Sequence, residues 1–228
     1  MPPRDRKRRT RLKRLKNLLN KEARLAASPL SWLFLLFSAA TLLPGYPLLL
    51  GAMFICLGIF YSFHAVAENH DLLYTVLLPI PKRDAVTGKY LFSCCVQALG
   101  FALTAVFAAV RMSGPGPAGG GALMGANVTY LGFVPLVFAA FNLLFVEGFF
   151  HSGGKLGRPF LGFVGAGAAL MALEEVLHRL PGLSFLGATS GRALLFQLPV
   201  LVIGLGLWVY GTLRSLRRAQ TLFVKADL

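Results

Sequence analysis

Six apolar runs, each near the length needed to cross a bilayer, leave this chain few folds to choose from. They lie at residues 25–43, 47–66, 85–110, 127–150, 159–174 and 193–213. About 20 apolar residues make a helix as long as a hydrocarbon core is thick. In lipid, every backbone N–H and C=O must find its partner within the structure, which favours helices. Composition agrees, with 56% of the 228 residues hydrophobic and 14% charged, where a soluble domain has roughly 45–50% and 25%. The expected fold is an all-α membrane protein with six transmembrane helices. No polar block is long enough to fold alone. The organisation expected is a basic interfacial helix over 1–24, a six-helix membrane domain over 25–213 and a cytoplasmic tail over 214–228. The basic start is too long for a cleavable signal peptide, and its apolar run feeds a second span after a four-residue turn, Pro44 to Pro47.

Lysine and arginine set the orientation, because cytoplasmic loops are enriched in both. With six spans, the two termini share a side with the second-to-third and fourth-to-fifth loops. That side holds 20 of the 23 basic residues, and the other holds Arg111, Arg179 and Arg192. Both termini are therefore expected in the cytoplasm.

The N-terminus adds a second feature. Leu12, Leu15, Leu19, Ala23 and Ala26 recur at helical spacing, and Arg11, Lys13, Arg14, Lys16, Lys21 and Arg24 cover the remaining faces. A basic amphipathic helix beside a span is suited to lie on anionic lipid. Nucleic acid is not the expected partner, since no aromatic residue interleaves the charges before Trp32 and the lipid is already adjacent.

The loop from Glu68 to Asp84 is the most informative stretch. Leu72, Leu73, Val76 and Leu77 make one apolar face, opposed by Glu68, Asp71 and Thr75. Pro79 and Pro81 forbid further helix. Lys82 and Arg83 mark the cytoplasmic boundary, and Asp84 is placed to cap the third span. A short amphipathic helix, Asp71 to Leu78, is thus expected across the cytoplasmic mouth.

This region resembles the type-2 ABC exporter permeases, and within them the small bacterial six-span branch that works with a separate ATPase. The matching residues are Leu78, Pro79, Pro81, Arg83, Val86, Lys89 and Tyr90. The local match covers about thirty residues, with the span layout extending it along the chain. The long basic N-terminus departs from the family pattern. The resemblance implies a permease subunit in the cell membrane that exports a hydrophobic or amphipathic cargo. It implies pairing with a second permease subunit, alike or different, and drive from cytosolic ATP-binding subunits. Asp71, Leu72, Leu73, Val76, Leu77 and Leu78 would then form the coupling helix seated on the ATPase. Pro79, Pro81, Lys82, Arg83, Lys89 and Tyr90 would form the turn that leads into the third span.

Other chemistries are poorly served. Gly153-Gly154-Lys155 ends in Leu156 and lacks the spacing of a phosphate-binding loop. No ATP hydrolysis by this chain is expected. Glu174-Glu175 with Arg179 fits the first motif of CAAX-type membrane proteases, yet no histidine follows His178. That pair is expected to mark a helix end. Cys56, Cys94 and Cys95 have no zinc spacing, so neither metal nor cofactor is expected. Glu147, inside the fourth run near its cytoplasmic end, is expected to snorkel to the interface or to pair with Lys155 or Arg158. Gly162 with Ala166 and Gly165 with Ala169 are pairs of small residues that let helices approach closely. Two other functions stay open: a scaffold or immunity protein that needs no ATPase, and a membrane-embedded protease.

Overall fold

The computed structural model describes residues 17, 19–22, 29–43, 45–69, 81–113, 125–177, 179–189 and 191–225. Among these there is no strand. Five helices are long and apolar enough to cross a membrane: α2 (Leu49–Glu68), α3 (Lys82–Ser113), α4 (Val128–His151), α5 (Gly157–Leu177) and α6, whose spanning part is Gly191–Phe223. A shorter apolar helix, α1 (Pro29–Leu42), precedes them.

α1 begins at a proline, whose missing N–H costs nothing in a first turn. Its first seven residues are α-helical and its last seven are wound as 3-10 helix. At rises of about 1.5 and 2.0 Å per residue, the whole reaches about 25 Å. The tighter winding thus stretches a short segment toward the ~30 Å of a hydrocarbon core. Arg111, from the far end of α3, donates to the carbonyls of Thr41 at 2.6 Å and Leu43 at 3.0 Å. A cation there satisfies the carbonyls left open at a helix C-terminus. α1 lies on α2 where Gly58 leaves room. A Cβ at Gly58 would come within 2.9 Å of Phe34 Cβ, and Ser31 donates to the Gly58 carbonyl at 2.6 Å.

α2 and α4 are the buried centre, and α5 and α6 expose much of their surface. Rings fill the core between them. Phe60 meets Phe160 at 4.2 Å, Phe63 meets Phe149 edge-on at 5.0 Å, and Phe141 meets Phe163 edge-on at 5.0 Å. Such tilted and edge-on pairs suit the quadrupole of an aromatic ring.

α4 and α6 share the most extensive helix contact. They cross where two glycines face each other. A Cβ on Gly204 would overlap the Gly132 carbonyl, and one on Gly132 would meet the α6 backbone at 2.8 Å. Only glycine permits so close an approach. The α4 N-terminus is closed by side chains. Asn127 Oδ1 accepts from Tyr130 N at 2.9 Å, and Gln197 Oε1 accepts from Val128 N and Thr129 N at 3.1 and 3.2 Å. At the other end, Gly153 and Gly154 take φ of 67° and 93°. The Gly154 N–H returns to the Phe149 carbonyl at 2.9 Å. This glycine pair is a helix stop, which explains a run that superficially resembles part of a phosphate loop.

Several boundaries differ from the sequence reading. α3 starts at Lys82, three residues before the expected Ala85, so Asp84 lies in its first turn rather than at its cap. α6 continues as helix to Lys225, past the expected end of the span at 213. The basic residues Arg214, Arg217 and Arg218 keep helical register there, since charge alone does not break a helix. Of the small residues on α5, Gly162 and Gly165 face open space, whereas Gly167 takes the Met53 side chain.

Candidate functional site

The turn motif leads straight into a buried polar seam. Pro81 accepts the first turn of α3 on its carbonyl, from Asp84 N at 2.8 Å and Ala85 N at 3.3 Å. Arg83 is exposed and Lys82 half-buried at this helix start. One to two turns further, Val86, Lys89 and Tyr90 are all buried.

Lys89 reaches Glu22 at 3.0 Å, with both side chains about 95% buried (4% and 6% exposed). Residues 19–22 are helical, and Leu19 packs on the core. The pair therefore ties the end of the basic N-terminal segment to α3, over a small cavity edged by Ser62, Phe63 and Val66 of α2. A buried ion pair is costly to desolvate, but breaking one by removing a single partner costs about 3–5 kcal/mol. The placement of residues 19–22 against α3 thus depends on Lys89.

Tyr90 starts a hydrogen-bonded chain to α6 and α4. Its hydroxyl lies 2.6 Å from Ser215 Oγ, and Ser215 Oγ donates to the Asn142 carbonyl at 2.6 Å. A serine has one proton to give, so Tyr90 is the donor to Ser215. The Asn142 carbonyl is available because α4 widens there. Residues Phe141–Val146 form a π turn, and the Glu147 N–H reaches back to the same oxygen. Single π turns inside α-helices are rare and favour functional positions.

The side chain of Asn142 is as fully engaged as its backbone. It exchanges two 3.0 Å hydrogen bonds with the Gln97 amide and donates to Thr212 Oγ1 at 2.8 Å. Gln97 Oε1 also accepts from Trp208 Nε1 at 2.9 Å. Nearer the turn, Gln220 Nε2 donates to Thr87 Oγ1 at 2.9 Å. As α3 advances through Thr87, Tyr90 and Gln97, its partners on α6 run back through Gln220, Ser215 and Trp208. The two helices are antiparallel and joined in one register along about 15 Å of their length.

Of the residues singled out from sequence, Asp71, Leu72, Leu73, Val76, Leu77, Leu78 and Pro79 lie outside the described residues, as do Arg11, Lys13, Arg14, Lys16 and Arg24. Lys21 is described and half-buried. Glu147 pairs with Arg218 of α6 at 3.5 Å, not with Lys155 or Arg158. Those two lie past the α4 stop, whereas α6 stays helical beside Glu147 and carries Arg218 to it. Glu174 is 4% exposed, and Glu175 pairs with Arg179 at 3.6 Å. Among the described residues no group of three His, Cys, Asp or Glu side chains is placed to hold a metal.

The seam residues Gln97, Asn142, Thr212 and Ser215 were not singled out from sequence. The signal was present: Gln97 and Asn142 are lone amides inside long apolar runs, where an unpartnered polar group is expensive.

A bundle of long apolar helices with a polar seam at its core defines a multi-pass membrane protein. A family model described as ABC-2 family transporter protein matches residues 15–213. The chain belongs to that family, the membrane component of ABC transporters, and is an ABC transporter permease. No curated protein and no solved structure gives a match.

Proposed function

We propose that this chain is the membrane subunit of an exporter driven by a separate ATP-binding subunit, and that it moves a hydrophobic or amphipathic cargo. Family membership implies an ATP-binding partner in general. The observation that carries the finer reading is the fate of Lys89 and Tyr90. Both follow directly on the proline turn, and both are bonded into neighbouring elements, Lys89 into the N-terminal segment and Tyr90 into α6. A push delivered to the segment before Pro81 would therefore move α3 together with α6 and the π turn of α4.

In this reading α1 is the first of six spans, both termini lie in the cytoplasm, and residues 71–78 are the coupling helix. The domain limits are those drawn from sequence: 1–24 on anionic lipid, 25–213 as the permease domain and 214–228 as the tail. ATP hydrolysis belongs to the partner, and two permease subunits pair in the working complex.

Leu73→Asp tests the coupling assignment. A carboxylate on the apolar face would be buried without a partner at the ATPase contact, at a cost of several kcal/mol. Co-purification with the ATP-binding subunit and cargo-stimulated ATP turnover should both fall, while insertion into the membrane is unchanged. A wild-type level of association and turnover would refute the coupling role of this face.

A further inference from the structure

α4, α5 and α6 enclose an open groove of about 720 Å³, within the ~300–1,000 Å³ of ligand clefts. Its wall is apolar for most of its length, with Leu136, Leu143, Leu170 and Leu173 among the lining side chains. At one end it is not. Arg214 and Arg218 close that end beside Glu147. Two cations face one carboxylate, and Arg218, paired with Glu147 at 3.5 Å, is still 58% exposed. The end of the groove is net positive.

Length fits this charge pattern. From Leu136 to Glu147 on α4, and from Leu207 to Arg218 on α6, the lining covers twelve residues, or about 16 Å of helix between the first and the last. Half a hydrocarbon core is about 15 Å. The groove thus runs the depth of one leaflet, apolar within and cationic at the headgroup level. Tyr210, 61% exposed on its wall, has the amphipathic ring favoured near that level.

We propose that this groove binds an anionic phospholipid, with one acyl chain along the apolar wall and the phosphate against Arg214 and Arg218. The arginine fork matches a phosphate in geometry, where a zwitterionic headgroup would bring its own cation to the same place. Glu147 orients Arg218 and leaves Arg214 for the ligand. The site does not depend on an ATPase partner, so its failure and that of the coupling helix are separable.

The test uses the purified full chain in nanodiscs of phosphatidylcholine doped with phosphatidylglycerol, scoring lipids retained after extraction by native mass spectrometry. The wild type should retain phosphatidylglycerol selectively. Arg214→Gln with Arg218→Gln should lower that retention about tenfold, as expected for loss of charge-assisted hydrogen bonds. Ala169→Phe, which adds a ring to the groove wall, should lower it without changing any charge. If the double variant does not fold, Arg214→Gln alone carries the charge arm. Equal retention of the two lipids by the wild type would overturn the proposal. So would wild-type retention in both variants. Loss of a dimer in Ala169→Phe with lipid retention unchanged would also overturn it, and would assign the groove to a second copy of the chain.

Discussion

Ser215 is the joint on which the link between α3, α4 and α6 can be measured. It accepts from Tyr90 and donates to the Asn142 carbonyl, both at 2.6 Å. Ser215→Ala therefore removes two hydrogen bonds and leaves the buried Tyr90 hydroxyl without its acceptor. Side-chain hydrogen bonds between membrane helices average about 0.6 kcal/mol and reach about 1.7. Stranding a buried donor adds to this, so the loss should be about 1–3 kcal/mol. Tyr90→Phe removes one bond and keeps the ring stacked on Phe150, with centroids 6.2 Å apart. Its cost should be about 0.6–1.5 kcal/mol. In the Ser215→Ala background, Tyr90→Phe should cost nothing or recover stability, because the stranded hydroxyl goes with it. The assay is reversible unfolding of the purified chain in mixed micelles, followed by tryptophan fluorescence during titration with dodecyl sulfate. The cycle should give a coupling of at least about 0.6 kcal/mol. Effects that add to within about 0.3 kcal/mol would refute the assigned chain of donors.

The same unfolding assay tests the glycine crossing of α4 and α6. Gly204→Ala should destabilise by about 1–3 kcal/mol, as overpacking does, whereas Gly206→Ala, where a Cβ meets open space, should be neutral or stabilising through helix propensity. Equal effects at the two positions would mean that the backbones do not touch. Topology is open to reporter fusions: those after Ala118 and Gly187 should read outside, and those at Arg83, Gly154 and Ala226 inside. A cytoplasmic signal at Ala118 would break the six-span arrangement.

The helices were legible because a bilayer fixes their length and polarity so narrowly. Hydropathy located α2 to α5 within a few residues, and missed at α6, where the helix runs twelve residues past the end of the apolar run, from 213 to Lys225. The run ends at Leu213, but Arg214 to Lys225 remain good helix formers on a helix that needs no lipid to continue. α1 was harder to bound because its second half is 3-10, a winding that its residues, Leu36 to Leu42, do not announce. Its support comes from Arg111, 70 residues away from Thr41 in the chain. The candidate site divides in a similar way. The turn motif stood out through two prolines and a run of charge. The seam behind it did not, because Gln97, Asn142 and Ser215 are each a single polar residue in an apolar run. Only the fold brings them within hydrogen-bond distance. Glu147 misled for the same reason: Lys155 and Arg158 are near in sequence, but Arg218 is near in space.

The seam also fixes which relative motions are open to these helices. Slide α6 by one turn along α3, and Tyr90 would face Gly211 or Ala219 in place of Ser215. Gln97 would face Gly204 or Thr212 in place of Trp208, and Thr87 would lose Gln220 for Leu216 or Val224. Nearly every polar partner would become apolar, and for Gln97 and Trp208, within the hydrocarbon region, there is no water to make up the loss. A single buried polar residue is enough to set register in a coiled coil. Here three contacts do so along one pair of helices. α3 and α6 would then move as one body, and sliding between them would be the most costly response to a load. Any load arriving through Pro81 would reach the π turn of α4 through Asn142, whose side chain and carbonyl are both held by that body. There, as at Pro135 less than two turns earlier, the α-helical hydrogen-bond pattern is already interrupted, so a change of bend in α4 needs fewer bonds broken at these two places than along the rest of the helix.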